Sequence, residues 1–190
     1  MIKIDLVNSS NILNFHYNNL IIKKGKEWTI INFLNNRISK TPGKPNEVAL
    51  NLMYNYLITK IKKDLNGFSI LTATPKELED FKINFEIAHG NLLNSTYKTL
   101  PDGKIISYRQ DLLNVFYYKS YDKWKAYELA KKINVNVCPY CNRCYTFVLG
   151  DDNKKGTRFE YDHFFDKSSF PYLALSFYNL VPSCHICNSN

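Results

Sequence analysis

Apolar positions through the first two thirds of the chain recur mostly at helical spacing. The clearest stripe is Leu50, Met53, Leu57, Ile61 and Leu65. Steps of three and four predict an amphipathic helix, with Asn66-Gly67 as its stop. Thr74-Pro75-Lys76-Glu77 has the layout of a capping box with proline at the first helical position. Behind it, Leu78, Phe81, Phe85 and Ala88 form one face, and Gly90 is the expected end. A weaker pattern, Trp28, Ile31, Phe33 and Leu34, predicts a helix over 26–38, closed by Thr41-Pro42-Gly43-Lys44-Pro45. Residues 2–7 alternate weakly, as a short strand does. Residues 91–107 read as a loop with a strand at 104–106, and 108–118 and 120–133 as two more helices.

At Val137 the pattern changes. Residues 145–149 and 157–161 are rich in aromatic and β-branched side chains and flank a turn-rich stretch from Gly150 to Gly156. They predict a hairpin whose second strand runs into Asp162-His163. The fold class expected is therefore α+β, with a mostly helical region over 1–133 and a distinct small unit over 134–190.

Composition narrows the class. With 190 residues, 45% hydrophobic and 15% aromatic, the chain is long and apolar enough to bury a core. A net charge of +8 favours polyanion partners, although the lysine clusters at 23–26, 60–63 and 123–132 are read first as solvated helix faces. No signal peptide or membrane-length apolar run is evident, so a cytoplasmic protein without a membrane partner is expected.

In that setting five cysteines point to metal more than to disulfides. Cys138-Pro-Tyr-Cys141 and Cys184-His-Ile-Cys187 are two Cys-x-x-Cys pairs, the donor set of a closed structural zinc site. Cys144 is left over and is expected as a small buried residue at a strand start. Between the pairs lie Asp162, His163 and Asn179, and Asn188 follows the last cysteine. His163 has the titration range of a general base, and Asp162 and Asn188 are oxygen donors for a hard divalent ion. Singly, each has a plainer reading: a surface imidazole, a turn residue, a helix N-cap. Their order inside one zinc frame favours a phosphodiesterase site.

Cys138-Pro-Tyr-Cys141, Asp162-His163-Phe164, Asn179-Leu-Val-Pro-Ser-Cys184 and Cys187-Asn188 together resemble the zinc-bearing branch of the HNH endonuclease superfamily. The likeness covers roughly the last third of the chain. It implies a ββα-metal unit: a strand with the Asp-His, a second strand after a loop, and a helix with the last motif residue. His163 would be the general base, Asp162 and Asn188 the ligands of catalytic Mg2+ or Mn2+, and Asn179 a brace for the loop. Cys138, Cys141, Cys184 and Cys187 would hold structural Zn2+. His185 would flank the site and face phosphate. Asp166 departs from the pattern, standing where related sequences often have proline. The sequence ends at Asn190, so the helix expected from about Asn188 is cut short. DNA is the implied substrate, with RNA open because the motif reads phosphate. The same stretch resembles nuclease subunits paired with ATPases in bacterial anti-phage defence, which implies an ATPase partner for the helical region. The alternative is a zinc-stabilised binding or interaction module without cleavage.

Overall fold

A computed structural model describes residues 9–22, 29–117, 124–150, 153 and 156–189. The strand expected at 2–7, Trp28, the lysines at 23–26, Lys123 and most of the 151–155 turn lie outside the described residues. The chain is α+β: a helical region first, then two short two-stranded sheets, the second beside a four-cysteine cluster. No helix among the described residues is long and apolar enough to cross a membrane.

The helices are α1 (Ser9–Ile21), α2 (Ile30–Ile38), α3 (Glu47–Ile61) and α4 (Pro75–Asn94). The α1 segment was not assigned from the sequence, because its many Asn residues blur the apolar stripe. Thr29 caps α2, its hydroxyl accepting from the Asn32 N–H. In α3, Leu50, Met53, Leu57 and Ile61 are fully buried as the stripe predicts. The helix stops at Ile61, and Leu65 lies in solvent. The capping box at Thr74 forms with Glu77, but α4 runs through Gly90 to Asn94. One glycine costs about 1 kcal/mol in a helix, less than burial of Leu93 beyond it returns.

The expected loop at 91–107 is instead the end of α4 and an antiparallel hairpin, β1 (Thr96–Thr99) with β2 (Ile105–Ser107). Two shorter helices follow, α5 (Tyr108–Val115) and α6 (Ala126–Ile133). Arg37 grips buried Asp111 through two bonds of 2.6 and 2.9 Å, fastening α2 to α5.

The hairpin expected between 145–149 and 157–161 does not form. Those segments share one bridge, Leu149 with Thr157. Strand β3 (Glu160–His163) pairs instead with β4 (Leu180–Ser183), antiparallel, with His163 opposite Leu180 and Glu160 opposite Ser183. Pairing with β4 buries Tyr161 and Leu180 against the helical core, which pairing with the exposed 145–149 segment cannot do. A single helical turn, α7 (His185–Asn188), closes the unit. It starts at His185, with Asn188 inside it and Cys184 at the N-cap position, rather than at Asn188 as expected.

One hydrophobic cluster runs from Ile12 to Leu180 and joins both parts of the chain. Polar ties cross with it. Arg109 holds Glu86 at 2.8 and 2.6 Å and also donates to the Ser169 carbonyl, while the Tyr172 hydroxyl donates to Glu86 at 2.8 Å. The β3–loop–β4 segment is thereby seated on α4 and α5.

Candidate metal centre and adjoining site

Cys138 and Cys141 lie in a tight turn closed by the Asn142 N–H donating to the Cys138 carbonyl at 2.8 Å, and Asn142 itself takes a left-handed conformation, φ 52°. Cys184 directly follows β4 as the N-cap residue of α7 and Cys187 sits on α7, so the second pair spans a strand-to-helix junction. The four sulfurs lie within 4.8 Å of one another, and Cys141 Sγ is 4.0 Å from Cys184 Sγ. Zn–S bonds of about 2.3 Å imply tetrahedral S···S edges of roughly 3.8 Å, so the spacing fits zinc.

The electrostatics point the same way. Backbone N–H groups of Cys144 and Arg143 lower the Cys141 thiol to about 6. Burial raises Cys138, yet N–H groups of Cys184, Cys141 and Tyr140 outweigh it and leave that thiol lowered too. Cys187, pressed against the Cys184 thiol, is raised. Such a set ionises fully only around a cation. Cys144 is half-exposed rather than buried, and starts no regular strand. Its thiol stands beside those of Cys184 and Cys141, which raise it to about 11.

From this cluster the site extends along β3. Tyr140, inside the first cysteine pair, donates its hydroxyl to Asp162 Oδ2 at 2.8 Å. Asp162 Oδ1 accepts the backbone N–H of His163 at 2.8 Å. His163 Nε2 lies 3.1 Å from the Ala174 carbonyl. A carbonyl only accepts, so Nε2 carries the proton and Nδ1 keeps its lone pair. Burial, helped by the charge of Lys167, lowers His163 to about 4, which leaves the ring neutral at pH 7.

Asn179 is fully buried and spends its amide on the loop that carries His163. Its Oδ1 accepts from the Phe165 N–H at 2.6 Å, and Nδ2 donates to the carbonyls of Phe165 at 3.1 Å and Leu173 at 3.0 Å. Leu173 precedes Ala174, so Asn179 fixes the chain that holds the imidazole. Asp166 is spent locally: it accepts from the Ser168 hydroxyl at 2.5 Å and the Ser169 N–H at 2.8 Å. These bonds oppose the effect of burial and lower its carboxyl to about 2.

Asn188 meets a residue that the sequence reading passed over. Its Nδ2 donates to Glu160 Oε2, and His185 Nδ1 is 2.9 Å from Glu160 Oε1. Glu160 stands two before Asp162, so the period of a strand puts both on one face of β3. That spacing was the available signal for Glu160. Tyr140 carried none beyond its place in the cysteine motif. Among the described residues, no side-chain hydrogen bond links the His163 imidazole to Asp162 or to Asn188. Among the described residues, the group of His, Cys, Asp or Glu side chains close enough to hold a metal ion is the four-cysteine cluster. Compared with known proteins, the chain matches no family model, no curated protein and no solved structure.

Proposed function

We propose that this protein is a metal-dependent endonuclease of the HNH kind, hydrolysing phosphodiester bonds in DNA. One observation carries the reading. His163 is held as a neutral imidazole, Nε2 tied to the Ala174 carbonyl and Nδ1 left as a proton acceptor, at the end of a strand fastened to a four-thiol cluster through Tyr140 and Asp162. A strand, a loop, a second strand and a helical turn in that order are what the HNH resemblance implies.

In this mechanism His163 Nδ1 takes a proton from the attacking water. The Ala174 carbonyl keeps the ring in the productive tautomer, and Asn179 keeps that carbonyl in place. Asp162 and Asn188, with Glu160 beside them, would hold Mg2+ or Mn2+, which when bound stabilises negative charge on the phosphate and the leaving oxygen. Cys138, Cys141, Cys184 and Cys187 would hold Zn2+ in a closed site that keeps β4 and α7 against the first knuckle.

A zinc-stabilised binding module without cleavage is the second reading. It is favoured by the engagement of both Asn188 and His185 with Glu160 rather than with Asp162. Supercoiled plasmid incubated with zinc-loaded protein and Mg2+ separates the two. Nicking that disappears in His163→Ala at unchanged zinc content supports the nuclease; equal nicking by the variant, or none by the wild type, refutes it.

A further inference from the structure

The segment from Tyr145 to Leu149 packs Val148 against the core but turns its larger apolar side chains outward. Its alternation places Tyr145, Phe147 and Leu149 in solvent, at 72%, 54% and 62% exposure, while Thr146 is buried at 2%. An apolar face turned outward on an ordered frame is unusual unless it meets something. The frame here is firm. The Thr146 N–H donates to the Asn136 carbonyl at 2.9 Å, and its hydroxyl to the Val135 carbonyl at 2.6 Å. At the far end the Leu149 N–H donates to the Thr157 carbonyl at 2.7 Å. Gly156 is pressed so close to Leu149 that a Cβ there would sit 1.9 Å from the carbonyl oxygen.

On this frame the Tyr145 and Phe147 rings lie nearly parallel, 7° apart with centroids at 5.0 Å. They line a cleft of about 430 Å³ that also takes in Arg158, Glu160 and His185. That volume falls within the ~300–1,000 Å³ usual for a small-ligand cleft. The cleft therefore runs from two exposed, mutually stacked rings to the acid that engages Asn188.

We infer that Tyr145 and Phe147 form a stacking platform for the bases of an unpaired nucleic-acid strand, which delivers the neighbouring backbone to the β3–α7 site. The inference rests on the nuclease reading for what happens at that site, but concerns a separate surface. Paired bases are stacked on each other within the duplex and offer no free faces, so flat exposed rings select strands whose bases are splayed. The net charge of +8 supplies the long-range attraction to phosphate. Arg158, which lines the cleft, lays its guanidinium over the Tyr127 and Tyr161 rings and donates to the Phe159 carbonyl. Glu160 within the cleft is already engaged by His185 and Asn188.

The test uses zinc-loaded His163→Ala protein, which holds a probe without cutting it on this reading. Binding of a fluorescein-labelled oligothymidine and of a labelled duplex is measured by anisotropy at fixed salt. Stacking of one base is worth about five- to 140-fold in affinity. Tyr145→Ala with Phe147→Ala is expected to weaken the single strand at least about tenfold and the duplex by less than about twofold. Phe147→Trp is expected to keep the affinity, and its added indole to be quenched by unlabelled oligothymidine. Both substitutions fall on exposed side chains, and unchanged zinc content and circular dichroism verify the fold. Equal single-strand binding by the double variant, equal loss on both probes, or an unquenched indole overturns the inference. Loss of self-association in the double variant without loss of strand binding also overturns it, in favour of a face between copies. Nicking by the wild type is scored separately: absent nicking with aromatic-dependent strand binding fails the nuclease reading alone.

Discussion

Tyr140 and Asp162 join the two halves of the candidate site: the phenol of the first cysteine knuckle donates to the carboxylate beside His163 at 2.8 Å. The first cysteine turn thus touches the proposed catalytic strand directly. Tyr140→Phe should retain zinc, since no ligand changes. A hydrogen bond to a charged group is worth about 1.5–3 kcal/mol. Cleavage should therefore fall by roughly tenfold or more, with little change in zinc content, checked by plasmid nicking beside metal analysis. Full activity in this variant would detach the knuckle from the chemistry.

Cys184→Ser should abolish tight zinc binding and loosen the end of the chain. Cys184 is buried directly after β4, and metal binding there would be coupled to folding because the crowded thiols ionise fully only around a cation. A chromogenic chelator assay reports the lost zinc. Limited proteolysis is expected to become much faster at residues 138–189 than in the wild type.

Asn179→Ala should be among the most damaging substitutions outside the cysteines. It strands the Phe165 N–H and the Phe165 carbonyl, and leaves the Leu173 carbonyl with the Ser176 N–H alone. At about 1–3 kcal/mol for an unsatisfied buried group, a total loss of a few kcal/mol is expected in urea titrations. Asn179→Asp keeps the acceptor for Phe165 and loses both donations, so it should not rescue.

His16 and His163 point at neighbouring carbonyls, Nε2 of His16 reaching Leu175 O at 2.8 Å and Nε2 of His163 reaching Ala174 O at 3.1 Å. Burial lowers both rings to about 4. The Nδ1 of His16 is buried without a partner, so a second proton there would find no acceptor. Because the unfolded chain titrates near 6.5, it binds more protons than the folded chain between pH 6.5 and 4. The histidine contribution to stability is then complete above about 6.5, falls as the pH drops through that window, and levels off below about 4. The fully buried His16 alone contributes on the order of 3 kcal/mol. Urea midpoints at pH 7 and pH 4.5 test this, and His16→Gln should remove much of the difference. A flat profile in the wild type would mean that neither ring is held neutral.

Part of this was legible without coordinates, for local reasons. The stripe of α3 and the capping box of α4 follow from spacing and chemistry within a few residues, and the four clustered cysteines from the pairing of two short motifs. The hairpin that failed shows the limit. Residues 145–149 and 157–161 have strand composition and a turn between them, but a strand takes the partner that completes its burial. For β3 that partner is β4, beyond a long loop.

The sequence by itself determined the helices with strong periodicity, the α+β class and the two cysteine pairs that form the four-thiol cluster, because each depends on residue type at short range. Tertiary structure alone decided that Glu160 meets Asn188 and His185, that Tyr140 grips Asp162, and that Tyr145 and Phe147 face water. Those relationships depend on which distant segments share the core and on the strand register that follows, and spacing along the chain does not encode either.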